Sequence, residues 1–255
     1  MLISQGGARN ERINLNLACS LAAIAGALNA AAFYAVGFFS ANMTGNVSVL
    51  SDHIATSQWL PALFYMAIVV IFILGAALSS IMINAGRRRG IQGIYAYSIL
   101  AEALLLLPLA AADLWMQETV WRVPILVLGL AFLMGLQNAT VTRISDARVR
   151  TTHVSGMATD IGIEIGIAFD ILRGKDGGAY ASDNRSKLRL HLFTIAAFLM
   201  GGIIGVLLYQ AIAGYLLVIA SAILMGIALN GLHRTHGTVK TTATRRFRWR
   251  QRRDL

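Results

Sequence analysis

Three carboxylates stand in surroundings poor in charge, and they carry the sharpest chemistry in this sequence. Asp160 and Glu164 lie four residues apart in the segment 153 to 172, HVSGMATDIGIEIGIAFDIL. That spacing puts both on one face of a helix, where a carboxylate pair can exchange protons or hold a cation. They can equally face water or pair with Arg143, Arg148 or Arg150 as structural ions. Glu102 is alone, near the middle of an apolar run. If that run crosses a membrane, its carboxylate costs at least ~2.5 kcal/mol on insertion scales. Glu102 is therefore expected to turn inward, either as a coupling group or as a hydrogen-bond partner of another helix.

A second group of polar residues is set by an internal match. Residues 26 to 46 read GALNAAAFYAVGFFSANMTGN, and 135 to 157 read GLQNATVTRISDARVRTTHVSGM. Asn29-Ala30 corresponds to Asn138-Ala139, and Thr44-Gly45 to Ser155-Gly156. Asn42 or Thr44, and Thr152 or Ser155, are good N-cap types, while Gly45 and Gly156 permit unusual dihedrals or close backbone approach. A helix that starts inside a membrane presents free N–H groups and its positive dipole end, which favour an anion, a carbonyl oxygen or a water. The candidate solute-contacting residues are thus Asn29, Asn42, Thr44, Gly45, Asn46, Gln137, Asn138, Ser155 and Gly156, with Glu102, Asp160 and Glu164 as coupling candidates. The plainer reading is that the breaks only cap and turn the chain.

Other chemistry is poorly supported. His53, His153, His191, His233 and His236 form no zinc signature, because His233 and His236 sit beside a basic tail that repels a divalent cation. His153, Ser155 and Asp160 are the right types for nucleophilic catalysis, but no Gly-x-Ser-x-Gly string accompanies them. The chain is not expected to be an enzyme, and no cofactor or metal is expected. Cys19 is unpaired and suits a small packing role.

The elements that must position these groups are membrane helices. The chain has 255 residues, 56% hydrophobic and only 13% charged, which excludes a soluble α/β enzyme. Leu190 to His233 and Ile13 to Ser51 contain no Asp, Glu, Lys or Arg, and a span needs about 20 apolar residues. Six helices are predicted, near 13 to 37, 60 to 85, 91 to 112, 123 to 140, 190 to 210 and 213 to 232. Segments 42 to 57 and 153 to 172 are short or charged for a span. If neither crosses, every one of the 22 Lys and Arg residues except Arg122 faces one side, which the positive-inside rule makes the cytoplasm. The arrangement ranked second lets 42 to 57 cross, making seven spans with an external N-terminus. Trp115 and Trp121 in the loop 113 to 122 suit an interfacial aromatic belt. The pairs Gly75 and Ser79, Gly162 and Gly166, and Gly201 and Gly205 have the spacing that lets two helix backbones approach closely.

The fold class expected is an all-α membrane protein of six transmembrane helices, in two inverted three-helix repeats with re-entrant or broken helices. Its parts are a cytoplasmic N-terminus (1–12), a first unit (13–112), an external loop (113–122), a second unit (123–232) and a basic cytoplasmic tail (233–255). An odd number of spans per unit turns the second unit upside down, the plan of many transporters and channels. The expected function is transport of a small polar or anionic solute across the plasma membrane. The alternatives are a passive channel and a non-transporting scaffold with a lipid-binding tail. In that tail the string RRFRWRQRR should gain roughly 1 kcal/mol per basic residue from anionic lipid. The expected partners are membrane lipids and a small-molecule solute, without nucleic acid; a homo-oligomer is left open.

The string Met43-Thr44-Gly45-Asn46, with Asn29-Ala30, Phe39, Gly135-Leu136-Gln137-Asn138-Ala139 and the later Ser-Gly, resembles the YoaK family of uncharacterised bacterial membrane proteins. The resemblance covers most of the chain apart from the tail. Members of that family often carry an acidic residue where this chain has Asn29. The resemblance implies a membrane setting and no particular activity.

Overall fold

The computed structural model describes residue 2 and residues 11–174 and 178–251, with side chains through 235 in the last stretch. Arg9, Lys175, His236 and the arginines and aromatics beyond it lie outside the described side chains. The elements are α1 (Glu11–Val36), α2 (Met43–Ala55), α3 (Trp59–Arg88), α4 (Ile94–Trp115), α5 (Arg122–Ser145), α6 (Val154–Leu172), α7 (Gly178–Ile212) and α8 (Tyr215–Gln251). Among the described residues there is no strand. The six helices long and apolar enough to cross a membrane are α1, α3, α4, α5, α7 and α8, which are the six predicted. The two ambiguous segments are helical as well. With 13 residues α2 rises only about 20 Å, short of a bilayer core of about 30 Å.

Helix contacts run mostly between the first half of the chain and the second. α1 lies against α7, α3 against α5, and α4 against α8, while α2 and α6 each pack on the long helix that follows. In their apolar windows α5 is 61% buried, whereas α3 and α7 are each 22% buried. α3 and α7 therefore lie outermost, and their exposed Leu63, Ile73, Leu199 and Ile203 form a surface suited to lipid.

Glycine sets the closeness of two crossings. A Cβ on Gly26 would fall on the carbonyl of Phe198, and one on Gly201 on that of Ala23. Likewise a Cβ on Gly135 would fall on the carbonyl of Phe72, and one on Gly75 on that of Phe132. Backbone atoms cannot step aside as a flexible side chain can, so these four positions exclude any larger residue. Gly205 is similarly pressed on Ala27, and Ser79 is buried and bonded to Thr140. Two of the three predicted small-residue pairs thus lie at crossings. The third, Gly162 with Gly166, meets nothing within 4 Å.

Both long helices that precede a break end in the same manner. α1 stops at Gly37, whose φ of 77° is left-handed and whose N–H donates to Phe33 O at 2.8 Å. α5 stops at Asp146, with φ 55° and an N–H donated to Thr142 O. A left-handed residue closing the last turn ends a helix this way.

Candidate functional site

Each break is tied back onto the helix it leaves. The Asn29 carboxamide oxygen accepts the Ala41 N–H at 2.8 Å and the Ser40 hydroxyl at 3.5 Å. Since Asn29 lies about two turns before the end of α1, the segment after α1 folds back along it before α2 begins. Asn42 is then the N-cap of α2, its side-chain oxygen accepting the Gly45 N–H at 3.1 Å. Asn46 is buried and donates to Phe39 O at 3.1 Å, while Thr44 is exposed. In the second break the Thr152 hydroxyl donates to Asn138 Oδ1 at 2.8 Å, and Asn138 Nδ2 donates to Met134 O at 2.7 Å.

These bonds revise part of the capping expectation. Neither Thr152 nor Ser155 caps α6; His153 holds that position without a side-chain bond, because the Thr152 hydroxyl is already given to Asn138. Ser155 is exposed, and a Cβ on Gly156 would meet only Arg150 Nη1 and the His153 ring at ordinary distances. The candidate solute residues therefore divide into two groups, each bonded within its own break. Replacing Asn29 by Ala leaves the buried Ala41 N–H without its partner, and replacing Asn138 does so for the part-buried Thr152 hydroxyl. Each variant should therefore lose about 1–3 kcal/mol of stability, Asn138→Ala the less. Thermal unfolding of the purified variants checks this, and unchanged midpoints would refute the tethering role.

Gln137 belongs elsewhere. Its Nε2 donates to Glu102 Oε1 at 2.7 Å in the fully buried contact of α5 with α4. Sequence reasoning placed Glu102 inward but did not join it to Gln137.

Asp160 and Glu164 do share a face of α6, and the residue between them comes from α7. His191 Nδ1 lies 3.0 Å from Glu164 Oε1, and Nε2 lies 4.0 Å from Asp160 Oδ2. Asn184 donates to the Glu164 backbone carbonyl at 2.9 Å. Glu164 Oε2 is buried without a hydrogen-bond partner among the described residues. Arg143 is not available to these acids, since its guanidinium is bonded to Asn84 Oδ1.

This cluster borders a chamber of about 1420 Å³. Its walls are the start of α1 (Glu11, Arg12, Asn14), the second break (Arg148, Arg150), α6 (Asp160, Glu164) and the start of α7 (Asn184, Lys187, His191). His191 and the chamber were not singled out from sequence, because nothing local pairs α6 with the start of α7. At the opposite end of the bundle, Asp113 is buried and held by Arg122 Nε at 2.9 Å, Arg122 Nη2 at 2.8 Å and the Tyr209 hydroxyl at 2.8 Å. Together they tie α4, α5 and α7.

A family model described as a protein of unknown function (DUF1275) matches residues 17–230, and the YoaK resemblance falls within it. No curated protein and no solved structure matches the chain.

Proposed function

We propose that this chain, which belongs to the DUF1275 family of proteins of unknown function, moves a small polar or anionic solute across the plasma membrane. In this reading two three-helix units of inverted topology face one another, with both termini cytoplasmic and α2 and α6 as re-entrant half-helices. The unit reading is supported by agreement at matching positions. Gly37 and Asp146 cap alike, and Asn29 and Asn138 tether alike. Gly26 with Gly201 makes the same reciprocal crossing as Gly135 with Gly75. His53 stacks near Tyr65, with ring centroids 5.5 Å apart, at the positions where the second half places Glu164 and His191.

The observation that carries the solute reading is the chamber. It is walled by both units, it collects Arg12, Arg148, Arg150 and Lys187, and it contains the unpartnered Glu164 oxygen. It also ends blind. Along α1 above the chamber, Leu17, Ala18, Leu21, Ala22, Ala25 and Leu28 are each at most 1% exposed, so α1 is packed closed between the chamber and the Asp113 end. A one-sided chamber favours a carrier over an open pore.

The test is thermal unfolding of the purified full chain against a panel of small organic anions, inorganic anions and neutral polar metabolites. A solute at 100 times its Kd should stabilise by about 2.7 kcal/mol, and Arg148→Gln with Arg150→Gln should abolish that shift. The reading fails if no panel member shifts the midpoint, or if the double variant shifts as much as the parent.

A further inference from the structure

A line of buried polar side chains runs up the inside of the bundle and stops at Glu102. On α4, Tyr95, Ser98 and Glu102 share one face, and on α5 so do Gln137 and Thr140. Thr140 Oγ1 lies 2.6 Å from Ser98 Oγ and 2.9 Å from Ser79 Oγ of α3, and all three residues are fully buried. One turn below, the Tyr95 hydroxyl donates to Arg143 O at 3.5 Å. Arg143 and its partner Asn84 are exposed, at the C-terminal ends of α5 and α3. One turn above the hydroxyls is the Glu102–Gln137 pair, and beyond it α4 presents only Leu106 and Ala110 before Asp113. The polar line therefore reaches one end of the bundle and not the other.

At its blind end, two atoms have no hydrogen-bond partner among the described residues: Glu102 Oε2 and Gln137 Oε1. Both are acceptors when Glu102 is a carboxylate, and each would leave a desolvation penalty of about 1–3 kcal/mol or more. A proton on Oε2 turns it into a donor, the complement of the unmatched amide oxygen in the same pair. Neither oxygen has solvent-accessible surface of even 1 Å², so no water-sized void adjoins them for a metal ion. No rival charge is near. Between Leu60 and Gly86 of α3, Val123 and Thr142 of α5, and Leu216 and Leu232 of α8, the only ionisable side chain is Tyr65. Along α4 the nearest are Tyr97 and Tyr95, about one and a half and two turns away, and Asp113, about three.

We propose that Glu102 is a proton-binding site, filled from the Arg143–Asn84 end through the Ser98–Thr140–Ser79 hydroxyls and held in place by Gln137. In loading, a hydronium ion at the mouth gives up one proton and remains as water. At rest the Thr140 hydroxyl donates to Leu136 O and no hydroxyl reaches Oε2, so transfer requires rotation. Each hydroxyl turns to pass one proton on as it takes one up. The Glu102 carboxyl, one turn from Ser98 on the same helix face, turns to receive the last as an O–H bond on Oε2. One positive charge enters, and the carboxylate becomes a neutral acid. The site stands without the solute reading, since it needs no chamber residue.

The experiment is infrared difference spectroscopy of the full chain in lipid nanodiscs, following the carbonyl stretch of protonated carboxyl groups. The parent should show a band that Glu102→Gln lacks and that Glu102→Asp shifts. After transfer to deuterium oxide the band should move by isotope exchange. Ser98→Ala with Thr140→Val should slow that exchange at least tenfold, while Thr140→Ser should keep the parental rate. Three results overturn the proposal: no band lost in Glu102→Gln or shifted in Glu102→Asp, equal exchange rates in parent and double variant, or loss of the band on adding sodium at constant pH, which would mean a metal ion occupies the site. None of these outcomes bears on whether the chamber binds a solute.

Discussion

Gly75→Leu and Gly201→Leu should each leave little or no folded protein. At both positions even one carbon would overlap the backbone carbonyl of the facing helix, Phe132 or Ala23. The only relief is to separate α3 from α5, or α1 from α7, along the principal packing contacts of the fold. Overpacking usually costs ~1–3 kcal/mol, but here the added side chain meets main chain, so the upper limit is the expected minimum. Gly162→Leu and Gly166→Leu are the controls, because those glycines meet nothing within 4 Å; their effect should stay within about 0.5 kcal/mol. Folded yield by size-exclusion chromatography separates the two groups. A Gly201→Leu protein as abundant and monodisperse as Gly166→Leu would mean that the close crossing does not exist.

The second large effect is expected at Asp113. Its carboxylate is 1% exposed and takes hydrogen bonds from Arg122 and Tyr209. Asp113→Leu removes the ionic acceptor and leaves the guanidinium with only the neutral Tyr209 hydroxyl, and Arg122→Met leaves the buried carboxylate with that hydroxyl alone. Breaking a buried pair from one side costs about 3–5 kcal/mol, whereas replacing both partners by apolar residues is often neutral. The double variant should therefore be more stable than either single variant. Tyr209→Phe, which removes one donor and leaves the ion pair, should cost about 1–3 kcal/mol. Unfolding midpoints of the four proteins decide the matter: single variants no less stable than the double one would show that the pair is not closed.

The spans were legible because a bilayer imposes length and apolarity on a contiguous segment, so each is written in consecutive residues. Arg87-Arg88-Arg89 and the bases after Arg143 mark their ends for the same reason. The Asn-Ala correspondence was legible as a pattern, but its use was not. Asn29 and Asn138 read as free polar groups until Ala41 and Thr152, more than ten residues on, are seen to occupy their oxygens. Asp160 and Glu164 were placed on one face by helical spacing alone, while His191 enters from α7 and no local rule brings it there. Ser79, Ser98 and Thr140 were missed because a hydroxyl is a common packing residue in membrane helices. Only the meeting of α3, α4 and α5 makes these three a cluster. Asp113 and Arg122 were read as the edges of a loop, when they are its clasp.

The exchange of partners between halves also constrains how the protein is made. α1 leaves the ribosome before α2 to α8, yet the helix that fits its glycine face is α7, whose end lies about 170 residues later. At roughly 5–20 residues per second that is a wait of about ten to thirty seconds, during which Gly26 has only lipid or insertion machinery against it. α3 finds α5 much sooner, and Glu102 is met by Gln137 within the same interval. Assembly should accordingly close first around α3, α4 and α5, with α1 held aside until α7 arrives. α1, made before α2 to α8, is then among the last to be packed, and a nascent chain stalled before α7 should expose α1 to crosslinking by translocon components.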